Sequence, residues 1–318
     1  MKLTKQLAAL GAVVLGFAAF DACIYTVITR RYIDRSSSEM HAKSVAVSEY
    51  LPFDEGSGIC RCETAEKLTG DLPVLDGAAA LFPVYSAFVH ALYPEDAVSY
   101  ENGDFTPESK MQFHNTRGAY TAVADGTADV VFCAKPSEAQ MQYAKEKGKE
   151  LVLVPIGCEA FVFIVNKDNP VESLTVEQVQ DIYAGKYQRW SELGGTNARI
   201  DAVQRNEGSG SQTAMLSFMG GREMHRNPFA VTGSAIGYSF RYYVEGLTGD
   251  QSGIKLLSLN GVSPTAEHIA DGSYPASSNF YAVYDKANPN PNIPLLIDFI
   301  LSEEGQRIVS ESGYVQLR

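Results

Sequence analysis

Cysteine, histidine, tryptophan and positive charge are all scarce in this sequence. Its 318 residues include five cysteines, five histidines and one tryptophan, and 26 lysines and arginines stand against 38 aspartates and glutamates. The resulting net charge of −12 gives no general attraction to nucleic acid or anionic membrane. An anion bound here must therefore be captured by a local site working against the global field, and no nucleic-acid partner is expected. Cys60 and Cys62 stand close together and far from Cys133 and Cys158, which is neither a zinc-ribbon spacing nor a dense disulfide framework. Buried or free thiols are one outcome, and one or two disulfides outside the cell are another. His41, His90, His114, His225 and His268 show no triad or metal spacing, so no catalytic residue, metal or cofactor is expected. There is no internal repeat, no P-loop lysine and no G-x-G-x-x-G opening the first helix, which removes the nucleotide-binding classes. What remains is ordinary for a folded chain: 45% apolar and 20% charged residues.

The first residues differ from the rest. Lys2 and Lys5 precede an uncharged run from Leu7 to Phe20, and apolar character resumes after Asp21 until Arg30 and Arg31. A signal peptide has an apolar region of ~7–15 residues, while a tilted membrane helix needs ~20; Gln6 to Thr29 is long enough for the second. Phe20 sits badly for cleavage after Ala22, and Phe20-Asp21-Ala22 before Cys23 makes a weak lipoprotein box, so a retained anchor is favoured over a cleaved or lipidated signal. Residues 1–35 are read as signal or membrane anchor and 36–72, polar and acidic, as a linker or loosely packed N-terminal segment.

From residue 73 onward strand-like and helix-like segments alternate. The pattern gives a strand at Pro73–Leu75, then a helix with Leu81, Val84, Phe88 and Leu92 at helical spacing. It continues with a strand at Asp129–Cys133, a turn at Lys135-Pro136, and a helix capped by Ser137 with Gln140 three residues on. Two further strands are expected at Leu151–Val154 and Ala160–Val165, and a helix around Val176, Val179 and Ile182 capped by Ser173 or Thr175. "ARIDAVQR", "IKLLSL" and "NFYAVYD" read as strands, with "AIGYSFRYYV" unassigned between the first two, Gln212–Phe218 as a helix, and "NIPLLIDFILSEEGQRIVSESG" as one final helix stopped by Gly313. The alternation predicts an α/β architecture with largely parallel sheets.

The segment "AVQRNEGSGSQTAM", residues 202–215, lies between a strand and a helix. Free amides at a helix start, with the positive end of its dipole, form an anion site. Gly208 and Gly210 allow close backbone approach, Ser209 and Ser211 offer hydroxyls, and Arg205 offers a fork matched to an oxyanion. Glu207 would orient Arg205 or accept a proton from the ligand. A capped turn that binds nothing is the plain alternative.

This segment, together with "NPVESLTVEQVQDIYAGKYQRWSELGG", "AIGYSF" and "LLIDFILSEEGQRIVSESGYVQL" in the same order, resembles the phosphate-binding proteins of phosphate ABC transporters from about Leu75 to Leu317. The resemblance implies a type II periplasmic-binding-protein fold, two α/β lobes with an anion enclosed in the cleft between them. It implies lobe 1 at 73–157, with 278–318 returning to it, lobe 2 at 158–277, and crossings near Pro155–Ala160 and Gly272–Phe280. It also implies that Arg205, Ser209, Gly210 and Ser211 hold the anion's oxygens. "DGAAALFP" matches the first anion-holding turn but lacks its hydroxyls, leaving the backbone amides around Ala80 and Leu81. "NTRGAYTAVADG" matches a second turn and makes Thr116 a candidate, with Arg117 beside it. At "VFCAKPS" the acid that many relatives use to select protonated phosphate is replaced by Lys135, so selectivity falls to Glu207 or Asp76; a solvent-facing Lys135 is the plain alternative.

The function implied is an extracytoplasmic, monomeric binding protein, held at the membrane by its N-terminal segment. It would capture phosphate or a related tetrahedral oxyanion and deliver it to an ABC permease, without catalysis. The alternative is a membrane-anchored sensory or adhesive module with the same fold and weakened anion binding.

Overall fold

A computed structural model describes residues 46–62, 66–225, 234–247 and 253–317, all within one unit of the chain. The chain enters its sheet at β1 (Leu75–Gly77), passes a 3-10 turn at Ala79–Leu81 and runs into α1 (Phe82–Leu92). A small hairpin of β2 (Tyr100–Glu101) and β3 (Asp104–Phe105) precedes α2 (Asn115–Asp125), β4 (Val130–Ala134), α3 (Glu138–Glu146) and β5 (Leu151–Asn166). Next come β6 (Ser173–Leu174), α4 (Val176–Tyr183), β7 (Ile200–Ala202), α5 (Gly210–Met219) and β8 (Ser234–Phe240). The chain finishes with β9 (Ile254–Leu256), β10 (Ser258–Leu259), α6 (Ala266–Ala270), β11 (Ser277–Asp285), α7 (Asn292–Leu301) and α8 (Glu303–Glu311).

Local chemistry accounts for several of these boundaries. Ser137 and Thr175 each accept a bond from the backbone of the third helical residue, whose glutamine side chain reaches back, so both α3 and α4 open on complete capping boxes. The expected single C-terminal helix is two, because Ser302 is extended and accepts from the Gly305 amide, which starts α8 afresh. "AIGYSF" falls in a strand that ends at Phe240, after which the chain turns into a short π-helical segment, Tyr243–Leu247.

One sheet runs β1-β4-β11-β5-β8-β7, with β9 also on β5. The two strands expected between Leu151 and Val165 are one: β5 pairs with β11 from Leu151 to Ala160, then with β8 from Phe161 to Val165. A register shift between Phe280 and Tyr281 bends the pair near Gly157. Any side chain at 157 would collide with the Phe280 ring, since a Cβ there would lie 2.4 Å from its Cζ. The sheet is mixed, not largely parallel. β1–β4 and β7–β8 are parallel, but β5 and β11 run against their neighbours because each enters the sheet from the opposite end.

Aromatic and aliphatic side chains from both faces fill the core. Trp190 is fully buried and donates its indole N–H to the Ser234 carbonyl at 3.0 Å, and a smaller cluster seats Ala119, Tyr120 and Val123 of α2 on Val131, Cys133 and Val283. Glu159, on β5 beside the change of partner, is 3% exposed. It accepts from the Ala160 amide at 2.8 Å and the Tyr242 amide at 3.2 Å, while Arg241 Nε stays 3.9 Å away. Burial outweighs these contacts and pushes its carboxyl up to about 7.

The candidate anchor at 1–35 lies outside the described residues. Of the segment 36–72, the described part lies against the body: Ile59, Cys62 and Leu72 are buried, and Ser86 donates to the Tyr50 carbonyl. Cys60, Cys62 and Cys133 are free thiols, and Cys158 donates its Sγ–H to Asn279 Oδ1 at 3.0 Å. Cys60 donates to Glu311 and Cys62 to Glu304 on α8; burial with these bonds raises the two thiols to about 12 and about 11. Among the described residues no helix is long and apolar enough to cross a membrane.

Candidate functional site

Three helix starts gather at the carboxyl ends of the parallel strands, where open α/β sheets place their ligands. The first is the turn Ala79–Leu81 leading into α1. Asp76 on β1, fully buried, fixes the backbone around it by accepting from the Gly77 amide at 2.7 Å, the His114 amide at 2.9 Å and His114 Nδ1 at 2.7 Å. The same carboxylate therefore sets the second start, that of α2, where Asn115 takes a positive φ of 58°. The hydrogen bond from His114 to Asp76 raises the imidazole's pKa above its ordinary value. Tyr314 donates to the Ala80 carbonyl and pins the first turn from the C-terminal side.

The third start is α5. Gly208, at φ +80°, turns the chain, and Ser209 caps the helix by accepting from the Gln212 amide at 3.1 Å. A Cβ on Gly210 would lie 3.1 Å from Thr116 Oγ1 and 3.8 Å from Ala134 Cβ, and one on Gly208 would lie 3.3 Å from Arg117 Cδ. The α5 loop thus meets the start of α2 and the end of β4 at van der Waals distance. Among the described residues the amides of Ala79, Ala80, Asn115, Thr116, Arg117, Gly210 and Ser211 donate to no acceptor. Each helix start adds partial positive charge to the same region.

Arg205 adds a whole charge. Its backbone N–H is held by Gln212 Oε1 at 3.0 Å and Tyr238 Oη at 3.1 Å, and Tyr238 in turn donates to Gln212. Its side chain is partly buried, and burial lowers the guanidinium's pKa against the opposing influence of Tyr243 and Tyr238. No carboxylate or hydrogen-bond acceptor among the described residues pairs with that guanidinium. A partly buried, unpaired cation beside unpaired amides favours an anion on both counts.

The candidates divide as follows. Thr116 and Gly210 are in contact, with Arg117 against Gly208, and Ser209, Ser211 and Arg205 come from the same loop. Ala80 and Leu81 lie on the neighbouring turn, where the Leu81 amide is already spent on the Ala78 carbonyl at 2.9 Å, leaving Ala80 as the freer donor. Glu207 is exposed and makes no ion pair with Arg205. Lys135 is exposed just past β4; it, Arg117 and Glu207 face a cavity of about 1310 Å³ between α2, α3, α5 and residues 275–281. Asp76 points all its bonding at Gly77 and His114. The Asp76–His114 pair and the Tyr238–Gln212 support were not read from the sequence, since the partners lie far apart along the chain and no local spacing marks them.

Residues 77–304 match the family model of the PBP superfamily domain. The phosphate-binding protein PstS of Bacillus subtilis is 29% identical over 191 residues, which are 54% of this chain and 61% of that protein. This chain thus spans under two thirds of that relative's length. The PstS of Pseudomonas aeruginosa is 25% identical over 241 residues, 65% of this chain and 74% of that protein. Among solved structures, a protein from Clostridium perfringens, assigned as a phosphate ABC transporter substrate-binding protein and holding phosphate, superposes with a TM-score of 0.60 at 28% identity. That match covers 77% of this chain and 98% of the other. An ABC-type phosphate transport receptor from Vibrio cholerae shares the fold, with a TM-score of 0.57 at 22% identity over 76% of this chain and 99% of the other. The mixed sheet with its one strand shared by two sets of neighbours is the type II periplasmic-binding-protein fold, and the chain belongs to the PBP superfamily.

Proposed function

We propose that this protein is an extracytoplasmic solute-binding protein that captures phosphate, or a ligand bearing a phosphate-like tetrahedral group, and hands it to an ABC permease. The observation that carries the reading is Arg205: a partly buried guanidinium with no counter-ion among the described residues, on a loop that leads into one of three helix starts whose first amides find no acceptor among those residues. Such a constellation is electrostatically incomplete without an anion. In the bound state Arg205 grips two oxygens, Ser209 and Thr116 contribute hydroxyls, and the amides of Ala80, Gly210 and Ser211 complete the shell. The relatives' names point to the same ligand.

Residues 73–157 with 278–318 act as one lobe and 158–277 as the other, hinged where β5 changes partners and where the chain enters β11. The anion bridges both lobes and shifts the open–closed equilibrium by its contacts in the closed form. The protein works as a monomer, held at the membrane through its N-terminal segment, and the anion leaves chemically unchanged. Isothermal titration of the full chain with phosphate, sulfate and molybdate tests the reading. Heat with at least one of these anions is expected, and silence with all of them would refute it.

A further inference from the structure

Two of the three helix starts share a buried negative charge, and that charge works against their anion. Asp76 is fully buried, and its two oxygens accept from the Gly77 amide, the His114 amide and His114 Nδ1. Gly77 leads into the Ala79–Leu81 turn, and His114 immediately precedes Asn115, Thr116 and Arg117, whose amides donate to no acceptor among the described residues. The carboxylate thus stands at the root of the amides offered to the ligand. Like charges repel over several ångströms where the effective dielectric is low, so an uncompensated Asp76 lowers the cradle's affinity for any anion.

His114 is placed to compensate it. Its ring is held by the 2.7 Å bond to Asp76, and Gly118, one turn on, leaves room for it: a Cβ there would lie 2.5 Å from His114 Cβ. The side chain is still 57% exposed, so Nε2 can exchange a proton with solvent while Nδ1 keeps donating to Asp76. The bond to Asp76 raises the imidazole's pKa above 6.5 against the effect of burial, and Asp104 on β3 adds to the rise. Tyr85 on α1 and Cys133 on β4 also meet the field of Asp76, but burial holds both neutral. The pair therefore alternates between a neutral state, with imidazolium, and a negative one, with neutral imidazole.

We infer that anion capture is coupled to proton uptake at the Asp76–His114 pair, so that the cradle binds tightly when His114 is charged and weakly when it is neutral. The inference rests on the anion-capture reading and adds to it a control by pH. Linkage makes the effect reciprocal: the imidazolium favours the anion, and the bound anion favours the imidazolium.

Calorimetry on the full chain with sulfate and with phosphate, from roughly pH 5.5 to 8.5, compares the wild type with His114→Asn. The asparagine amide can still donate to Asp76 but carries no charge. For whichever anion binds, wild-type affinity relative to the variant should be about tenfold higher at the acid end and fall to near parity at the alkaline end. The ratio cancels the titration of Glu159 and of phosphate itself, which are common to both proteins. NMR of the histidine ring C–H signals in the wild type needs no variant: saturating anion should move at least one histidine pKa upward. Parallel pH profiles in the two proteins, or histidine pKa values unmoved by the anion, would overturn the inference while leaving anion capture intact. Failure of the wild type to bind either anion at any pH would overturn both.

Discussion

Arg205 gathers in one side chain the features that make the site an anion trap. Its backbone N–H is held by Gln212 and Tyr238, so its guanidinium is presented from a fixed base. Arg205→Ala should weaken phosphate binding by about 1.5–3 kcal/mol, the scale of a charge-assisted hydrogen bond. Arg205→Lys should recover only part of this loss, because an ammonium cannot reproduce the two-pronged geometry. Calorimetry on both variants checks the ordering; an unchanged affinity in Arg205→Ala would reduce the loop to a helix cap. The neighbouring carboxylates divide by duty. Asp76 is saturated by Gly77 and His114 and works as an internal brace. Glu207 is exposed and makes no ion pair with Arg205, whose backbone N–H is held instead by the Gln212 and Tyr238 side chains.

At the scale of elements, α5 depends on its first turn. Ser209 serves α5 as cap and, in the proposed site, the ligand as hydroxyl donor, and the two duties can be separated. Ser209→Gly should cost α5 only a few tenths of a kcal/mol, and Ser209→Ala about 1 kcal/mol, while both lose the hydroxyl equally. Comparing urea unfolding midpoints with phosphate affinities across the pair should show stability splitting the variants and binding grouping them. The capping boxes at Ser137 and Thr175 and the strand–turn–helix around Arg205 were legible in the sequence because each is written within a few consecutive residues. β5 was not legible as one strand. Gly157 and Glu159 interrupt its apolar run, and what keeps it continuous is pairing with β11, far along the chain. The break between α7 and α8 was hidden for the opposite reason: Ser302 interrupts a helical pattern that continues in phase on both sides. The Asp76–His114 brace depends on the closure of the sheet, which no local pattern encodes.

Across the whole molecule, stability carries the mark of Glu159. A carboxyl raised from 4.5 to about 7 in the folded protein binds its proton more tightly folded than unfolded. Its stabilising contribution is therefore complete below the unfolded value, near 4.5, and is lost as pH rises through about 7. The full effect is on the order of 3 kcal/mol. Urea midpoints should fall between pH 5 and 8, and Glu159→Gln should flatten that slope; an equally steep slope in the variant would assign it to other groups. Glu159 lies beside the point where β5 passes from β11 to β8, so its ionisation bears on the proposed hinge as well as on the core. The position of β11 also reaches beyond the folded state. It is the last strand of the chain, followed only by α7 and α8, yet it lies between β4 and β5, each made more than a hundred residues earlier. Until residues 277–285 emerge, β4 and β5 have no shared neighbour and the sheet stays split at its middle. The complete sheet can therefore form only after nearly all of the chain has been made, through pairings of large sequence separation.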